Sequence, residues 1–307
     1  MNIDWKRIAK PQPDQYDSLI IGSYLHQRVG WIKSKPELNC PTICDGTVAV
    51  VKDRCYTDED MLRINELTGH DTFNAMDKWN DTVATRLDPF LRQWNDGHEM
   101  LKLFLDEFWP KWVGWLGDAG RGCTSGHFEI GNIEKAPRHM HNFIKTAVYV
   151  SINNMQGCAE GIYHEVGHAR LEALGLGIDN HDGMLILNTP NELYNSPIRR
   201  DKQRPMSAVI QAIYSWIIFS ENDIQCACIS NNLEESANYL IGNLPKIEDG
   251  LAEIRSHVRC TAQGIDFMDG YFEWGEDVVV RGKKICQQAF GDNFLLRYNQ
   301  ACEYKNQ

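Results

Sequence analysis

The chain lacks the marks of several large protein classes. No run of about 18 uninterrupted apolar residues is present, so no stretch reads as a membrane span. The opening residues, Met1-Asn2-Ile3-Asp4-Trp5-Lys6, lack the basic-then-apolar pattern of a secretory leader, and the expected compartment is the cytoplasm. Cationic excess is missing too. The 307 residues carry 31 Lys and Arg against 42 Asp and Glu, a net charge of −11, where a general nucleic-acid binder needs the opposite sign. The 10 cysteines form no C-x-x-C pair and read as reduced thiols rather than as a zinc knuckle or a disulfide framework. The glycine-rich stretch 117–137 contains no G-x-x-x-x-G-K-S/T phosphate loop. Repeats, low-complexity segments and obvious linkers are likewise missing. The organisation expected is a single domain over 1–307, with a mainly helical part at 1–125 and the functional part at 126–307.

What is present centres on Gly161-Ile162-Tyr163-His164-Glu165-Val166-Gly167-His168-Ala169-Arg170. His164 and His168 are four apart, and on a helix such residues lie one above the other on one face. Two imidazoles can then point at one divalent ion, with Glu165 beside it. Apolar residues at 162, 166, 169, 173 and 174 recur at helical spacing, and Gly175-Leu176-Gly177 is a stop signal.

Around this helix the pattern predicts an α+β protein, mostly α-helical. A small β-sheet lies next to the metal-binding His-Glu-x-x-His helix and a second ligand helix. A short strand is expected at 47–51, and alternation predicts another at 142–152. Helices are expected from residue 57, over 71–94, and over 97–115 with a break at Pro110. Loops are expected at 117–137 and 177–204. An apolar helix then begins with Pro205 in its first turn, followed by helices at 232–242 and 246–260, a strand at 277–280 and a last helix at 283–303.

Two histidines hold a metal loosely, so a third ligand is expected. A third histidine six residues beyond His168 would fall at Leu174, which excludes one peptidase class. Glu221 is the first choice, because it falls on the apolar stripe of Ile210, Tyr214 and Ile217. Glu192 and His181 are alternatives. A lone buried charge is costly, so such a glutamate is expected to meet a cation; the plainer reading of Glu221 is a helix-end carboxylate paired with a neighbouring arginine. Two histidines and a carboxylate serve two chemistries. Zinc would activate a water with Glu165 as base, giving a metallopeptidase. Ferrous iron would leave positions for an oxoacid co-substrate and dioxygen. An anionic co-substrate needs a fixed cation, and Arg199, Arg200 and Arg204 precede the Glu221 helix. The competing reading of that cluster is a solvated loop in which Asp201 pairs one arginine.

Residues 160–225 resemble the HExxH-type peptide-modification proteins of ribosomally made peptide pathways. The likeness rests on His164, Glu165 and His168, then Ser196, Pro197, Arg199, Asp201, Arg204 and Pro205, then Gln211, Tyr214 and Glu221. Ile198 replaces the tryptophan usual there, and Gln211 or Trp216 stands where some members carry histidine. The resemblance implies a non-haem iron dioxygenase, an oxidoreductase hydroxylating the β-carbon of a residue in a peptide. It implies Fe(II) and 2-oxoglutarate as cofactors, with His164, His168 and Glu221 on the metal. Arg199, Arg204, Gln211 and Tyr214 would lie at the co-substrate, and Glu165 would serve catalysis by orienting a ligand. A peptide or amino-acid substrate is the implied partner, with neither nucleic acid nor membrane. The alternatives are a zinc metallopeptidase on the same motif and a peptide-binding module with a vestigial metal site.

Overall fold

The computed structural model describes residues 3–11, 16, 20, 42–43, 48–51, 112–115, 125–127, 147–150, 164, 167–168, 170–178, 181–229 and 233–303. The chain falls into two compact units, Pro13–Leu174 and the combination of Met1–Gln12 with Gly175–Gln307. The boundary follows the histidine helix directly, whereas the sequence places its internal division at 125/126. The described residues are mostly helical with short strands, an α+β arrangement dominated by helix. Among them no helix is long and apolar enough to cross a membrane.

The 13–174 unit holds a five-stranded sheet of β1 (Thr42–Ile43), β2 (Val48–Val51), β3 (Trp112–Trp115), β4 (Ser125–His127) and β5 (Ala147–Val150), in the order β1-β2-β3-β5-β4. β2, β3 and β5 run parallel, while β1 and β4 are antiparallel edges. β2 and β5 fall inside the two strands expected at 47–51 and 142–152. β3 overturns an expectation: it occupies the end of the stretch 97–115 read as helix. Beyond Pro110 its β-branched and aromatic residues suit a pleated surface, and Val113 pairs with Val50 on one side and Val148 on the other. β4 likewise lies in a stretch expected to be loop, and pairs with Val148, Tyr149 and Val150. The helices expected from 57 and over 71–94 lie outside the described residues. Residues 164, 167, 168 and 170–173 are helical, and Gly175, at φ 84°, takes the left-handed conformation that ends the helix.

Among the described residues the second unit holds five α-helices. A short α1 (Trp5–Ala9) precedes β6 (Leu193–Tyr194) and β7 (Arg204–Pro205), which form a two-stranded antiparallel ribbon. Then come α2 (Met206–Ile229), α3 (Leu233–His257), α4 (Ala262–Phe290), a 3-10 turn at Gly291–Asn293 and α5 (Phe294–Cys302). Val209, Ile210, Ile213, Tyr214, Ile217 and Ile218 of α2 are all fully buried. A helix apolar on most sides belongs in the middle of a bundle, and α2 packs against both α3 and α4. Pro205 closes β7, and the helix begins one residue later.

Two further expectations are corrected here. α3 runs unbroken through Pro245, where the sequence predicts two helices. The Asp277-Val278-Val279-Val280 run lies inside α4, not in a strand. β-branched residues lower helix propensity only slightly. Burial of Trp274, Val278, Val279 and Ile285 against neighbouring helices outweighs that preference. The start of α4 is well determined: Thr261 Oγ1 accepts from Gly264 N at 3.0 Å and donates to the Met184 carbonyl at 2.7 Å, a cap that also pins the preceding loop.

Candidate functional site

His164 and His168 are brought together as the spacing requires. Their Nε2 atoms lie 3.0 Å apart, with ring centroids 4.6 Å apart and rings nearly perpendicular. His168 is buried and His164 half-buried. Two lone pairs converging on one point is the arrangement a shared ion needs; a single proton between them gives the same contact as a hydrogen bond. Glu165, and His139 and His141 before β5, lie outside the described residues.

The residues weighed as third ligand are each engaged by protein groups. Glu221 is buried on α2, and Arg281 of α4 donates to it twice, Nη1 to Oε1 at 2.8 Å and Nη2 to Oε2 at 2.6 Å. Trp274 Nε1 donates to Oε2 at 3.1 Å. Burial pushes the Glu221 carboxyl upward, but the Arg281 hydrogen bonds and charge outweigh this. Trp274 and the charge of Lys10 add to them, and the carboxyl ends below the ordinary glutamate value. Arg281 is held in turn by Asp277, one turn before it on α4. The buried charge thus meets a cation, although Glu221 lies within α2 rather than at a helix end and its arginine stands on another helix. Glu192 accepts from Thr189 N and from Arg259 at 2.5 Å each. His181 accepts from Gly183 N at Nδ1, 3.1 Å, which leaves Nε2 to donate to the Asn188 carbonyl. That pattern fixes the tautomer and occupies both ring nitrogens. Among the described residues no three His, Cys, Asp or Glu side chains form a metal-sized cluster.

The arginine segment forms a loop closed at its base by β6 and β7, where Tyr194 pairs with Arg204. Arg199 Nε and Nη2 both donate to Asp201, each at 3.0 Å, and Arg199 holds the Asp201 carboxyl down at about 2. Both side chains of this pair are more than half exposed. Arg204 is half-buried in β7. Ser196 is buried, and its Oγ accepts from Ile198 N and Arg199 N at 3.4 and 3.3 Å, which explains the serine at the loop's bend. Pro197 packs towards Gly250 of α3. Gln211 is buried and donates from Nε2 to the Leu176 carbonyl, tying α2 to the turn after the histidine helix. Tyr214 is fully buried, stacked on Tyr271 at 5.9 Å and edge-on to Trp274 at 5.4 Å.

Arg281 and Trp274 were not legible as partners of Glu221. The signal that could have found them is helical: Trp274, Asp277 and Arg281 share one face at spacings of three, four and seven. Reading 277–280 as a strand breaks that face. No protein-family model matches the chain, and no curated protein matches it.

Proposed function

We propose that the protein is an Fe(II)- and 2-oxoglutarate-dependent oxygenase that hydroxylates an amino-acid side chain within a ribosomally made peptide. The observation that carries this reading is the 3.0 Å approach of His164 Nε2 to His168 Nε2. Two ring nitrogens this close can both reach one divalent ion, and ferrous iron is among those that imidazole suits. The similarity of residues 160–225 to peptide β-hydroxylases favours iron among them. Once bound, ferrous iron with 2-oxoglutarate and dioxygen supplies an oxidant able to hydroxylate an unactivated carbon.

The chain's own part is to hold and shield. One helix presents both imidazoles, and Gly175 ends it immediately beyond. Burial of His168 limits access of water to the pair. Glu165, in this reading, orients a neighbouring group rather than acting as a hydrolytic base. Glu221 is held by Arg281, so the reading rests on the two histidines.

The test begins with anaerobically purified protein loaded with Fe(II), supplied with 2-oxoglutarate and oxygen, and followed for succinate. Succinate formation with retention of about one iron per chain is expected, and both should be lost in His164→Ala and His168→Ala. Candidate peptides should gain an oxygen atom without cleavage. Zinc retention with peptide cleavage, abolished by Glu165→Gln, would instead make the protein a metallopeptidase.

A further inference from the structure

We infer that the cleft between the β6–β7 loop and α3 binds the main chain of an uncharged peptide segment, through the Ser196 hydroxyl and one carboxylate oxygen of Glu253. The cleft has a volume of about 560 Å³, within the range of about 300–1,000 Å³ typical of small-ligand sites. Ser196 and Glu253 both line it. Ser196 is 5% exposed. Its Oγ accepts from Ile198 N and Arg199 N, and among the described residues its own proton reaches no acceptor. A buried hydroxyl that only accepts keeps a donor in reserve. Glu253 has the opposite capacity. Its Oε1 accepts from Asn195 N at 3.0 Å and faces His257 Nδ1 at 3.7 Å. Its Oε2 accepts nothing among the described residues, although each carboxylate oxygen has two lone pairs. The bond to Asn195 N holds the next residue, Ser196, to the same stretch of α3. One residue of an extended peptide turns its own C=O and N–H to the same side, as in an antiparallel ladder. The Ser196 hydroxyl donates to that carbonyl, and Glu253 Oε2 accepts from that N–H.

The walls are set before a ligand arrives. Gln203 Nε2 donates to Asn195 Oδ1 at 3.3 Å, which extends the β6–β7 pairing by one side-chain bond. Pro197 lies over Gly250 of α3, where a Cβ would stand 3.3 Å from its Cγ. Between these anchors the loop turns at Arg200 and Asp201. The charged part of the lining favours no ion. Arg200 and Lys202 stand on the loop side, Asp249 and Glu253 on α3. Arg200 and Asp249 each interact with other protein groups and keep those contacts. A ligand of either sign, 2-oxoglutarate included, meets like charges beside the opposite ones, and such mismatch is how sites reject wrong ligands. A neutral segment held by its main chain avoids that conflict.

This deepens the proposed reading, on which the peptide nature of the ligand rests, and its test is run without iron so that the two can fail separately. Capped tri-alanine, and its analogue with the middle amide replaced by an ester, would be titrated into the full-length, metal-free chain and followed by amide-proton NMR. The amide peptide should shift the Asn195 and Gln203 signals saturably. It should bind at least about fivefold more tightly than the ester, which lacks the N–H and turns a lone pair towards Glu253. Glu253→Gln keeps an oxygen for Asn195 N but offers the ligand an amide nitrogen, so the preference for amide should vanish. Ser196→Ala should weaken both ligands by about fivefold, because both lose the donor to their carbonyl. Thermal melts check that the variants fold, and the isosteric Glu253→Gln decides the matter should Ser196→Ala not fold. No saturable shift from either ligand, equal binding of amide and ester by the parent, or a preference that survives Glu253→Gln would each overturn the inference. Peptide binding without succinate formation by the iron-loaded protein would keep the cleft and remove the oxygenase.

Discussion

Arg281 grips Glu221 through two nitrogens at 2.8 and 2.6 Å, although the two residues lie 60 positions apart in the chain. The acid has 8% of its side chain exposed and the arginine 32%. Removing one partner of such a pair strands a charge away from water, at a cost of about 3–5 kcal/mol in a fully buried setting, and nearer the lower figure with this degree of exposure. Glu221→Ala and Arg281→Ala should each lower unfolding stability by about 3 kcal/mol, with the double variant well short of the sum. Urea denaturation of the four species measures this. Additive losses would show that the pair does not act as a unit. Loss of metal from Glu221→Gln would return Glu221 to the ligand set.

The same contact makes an acid-sensitive joint. The folded carboxyl lies below its ordinary value, so its contribution is fully present above the ordinary glutamate range and is lost as pH falls through the folded value. Melting temperature measured from neutral pH down into the acid range should fall for the parent chain. Arg281→Leu should flatten that part of the profile while lowering the whole curve. An unchanged slope in the variant would remove Arg281 as its cause.

Thiol reactivity should divide sharply between two cysteines. Burial, reinforced by the nearby charge of Asp223, pushes the Cys286 thiol up to about 12, and its Sγ–H is directed at the Ala237 carbonyl. Cys228 is exposed. Only thiolate is nucleophilic, so iodoacetamide at mildly alkaline pH should label Cys228 in the native protein and Cys286 only after unfolding. Peptide mapping of the labelled sites reads the result, and native labelling of Cys286 would contradict the packing of α4 against α3.

Two glycines should respond to alanine with opposite sign. A Cβ at Gly264 would lie 1.8 Å from the Leu185 carbonyl oxygen, which Thr261 N also holds at 3.1 Å. Backbone must shift, and Gly264→Ala should cost about 1–3 kcal/mol or more. Gly242, inside α3, has nothing within 4 Å of such a Cβ. Gly242→Ala should stabilise by about 0.4–1 kcal/mol through the unfolded chain. Thermal melts of the two variants against the parent decide both.

Local pattern carried much of this protein. The strands at 48–51 and 147–150, the stop at Gly175 and the buried face of α2 that includes Glu221 all follow from side-chain periodicity and from glycine's tolerance of positive φ. The convergence of His164 and His168 follows from helical spacing alone. Tertiary contacts decided the rest. Trp112–Trp115 became a strand because two neighbours were there to pair with it, and the three valines of α4 stayed helical because that helix buries them or its other faces. Spacing puts Glu221 inside, but only the folded bundle brings Arg281 to it. The partner stands on another helix, and no periodicity within one segment reports on what a different segment brings to it.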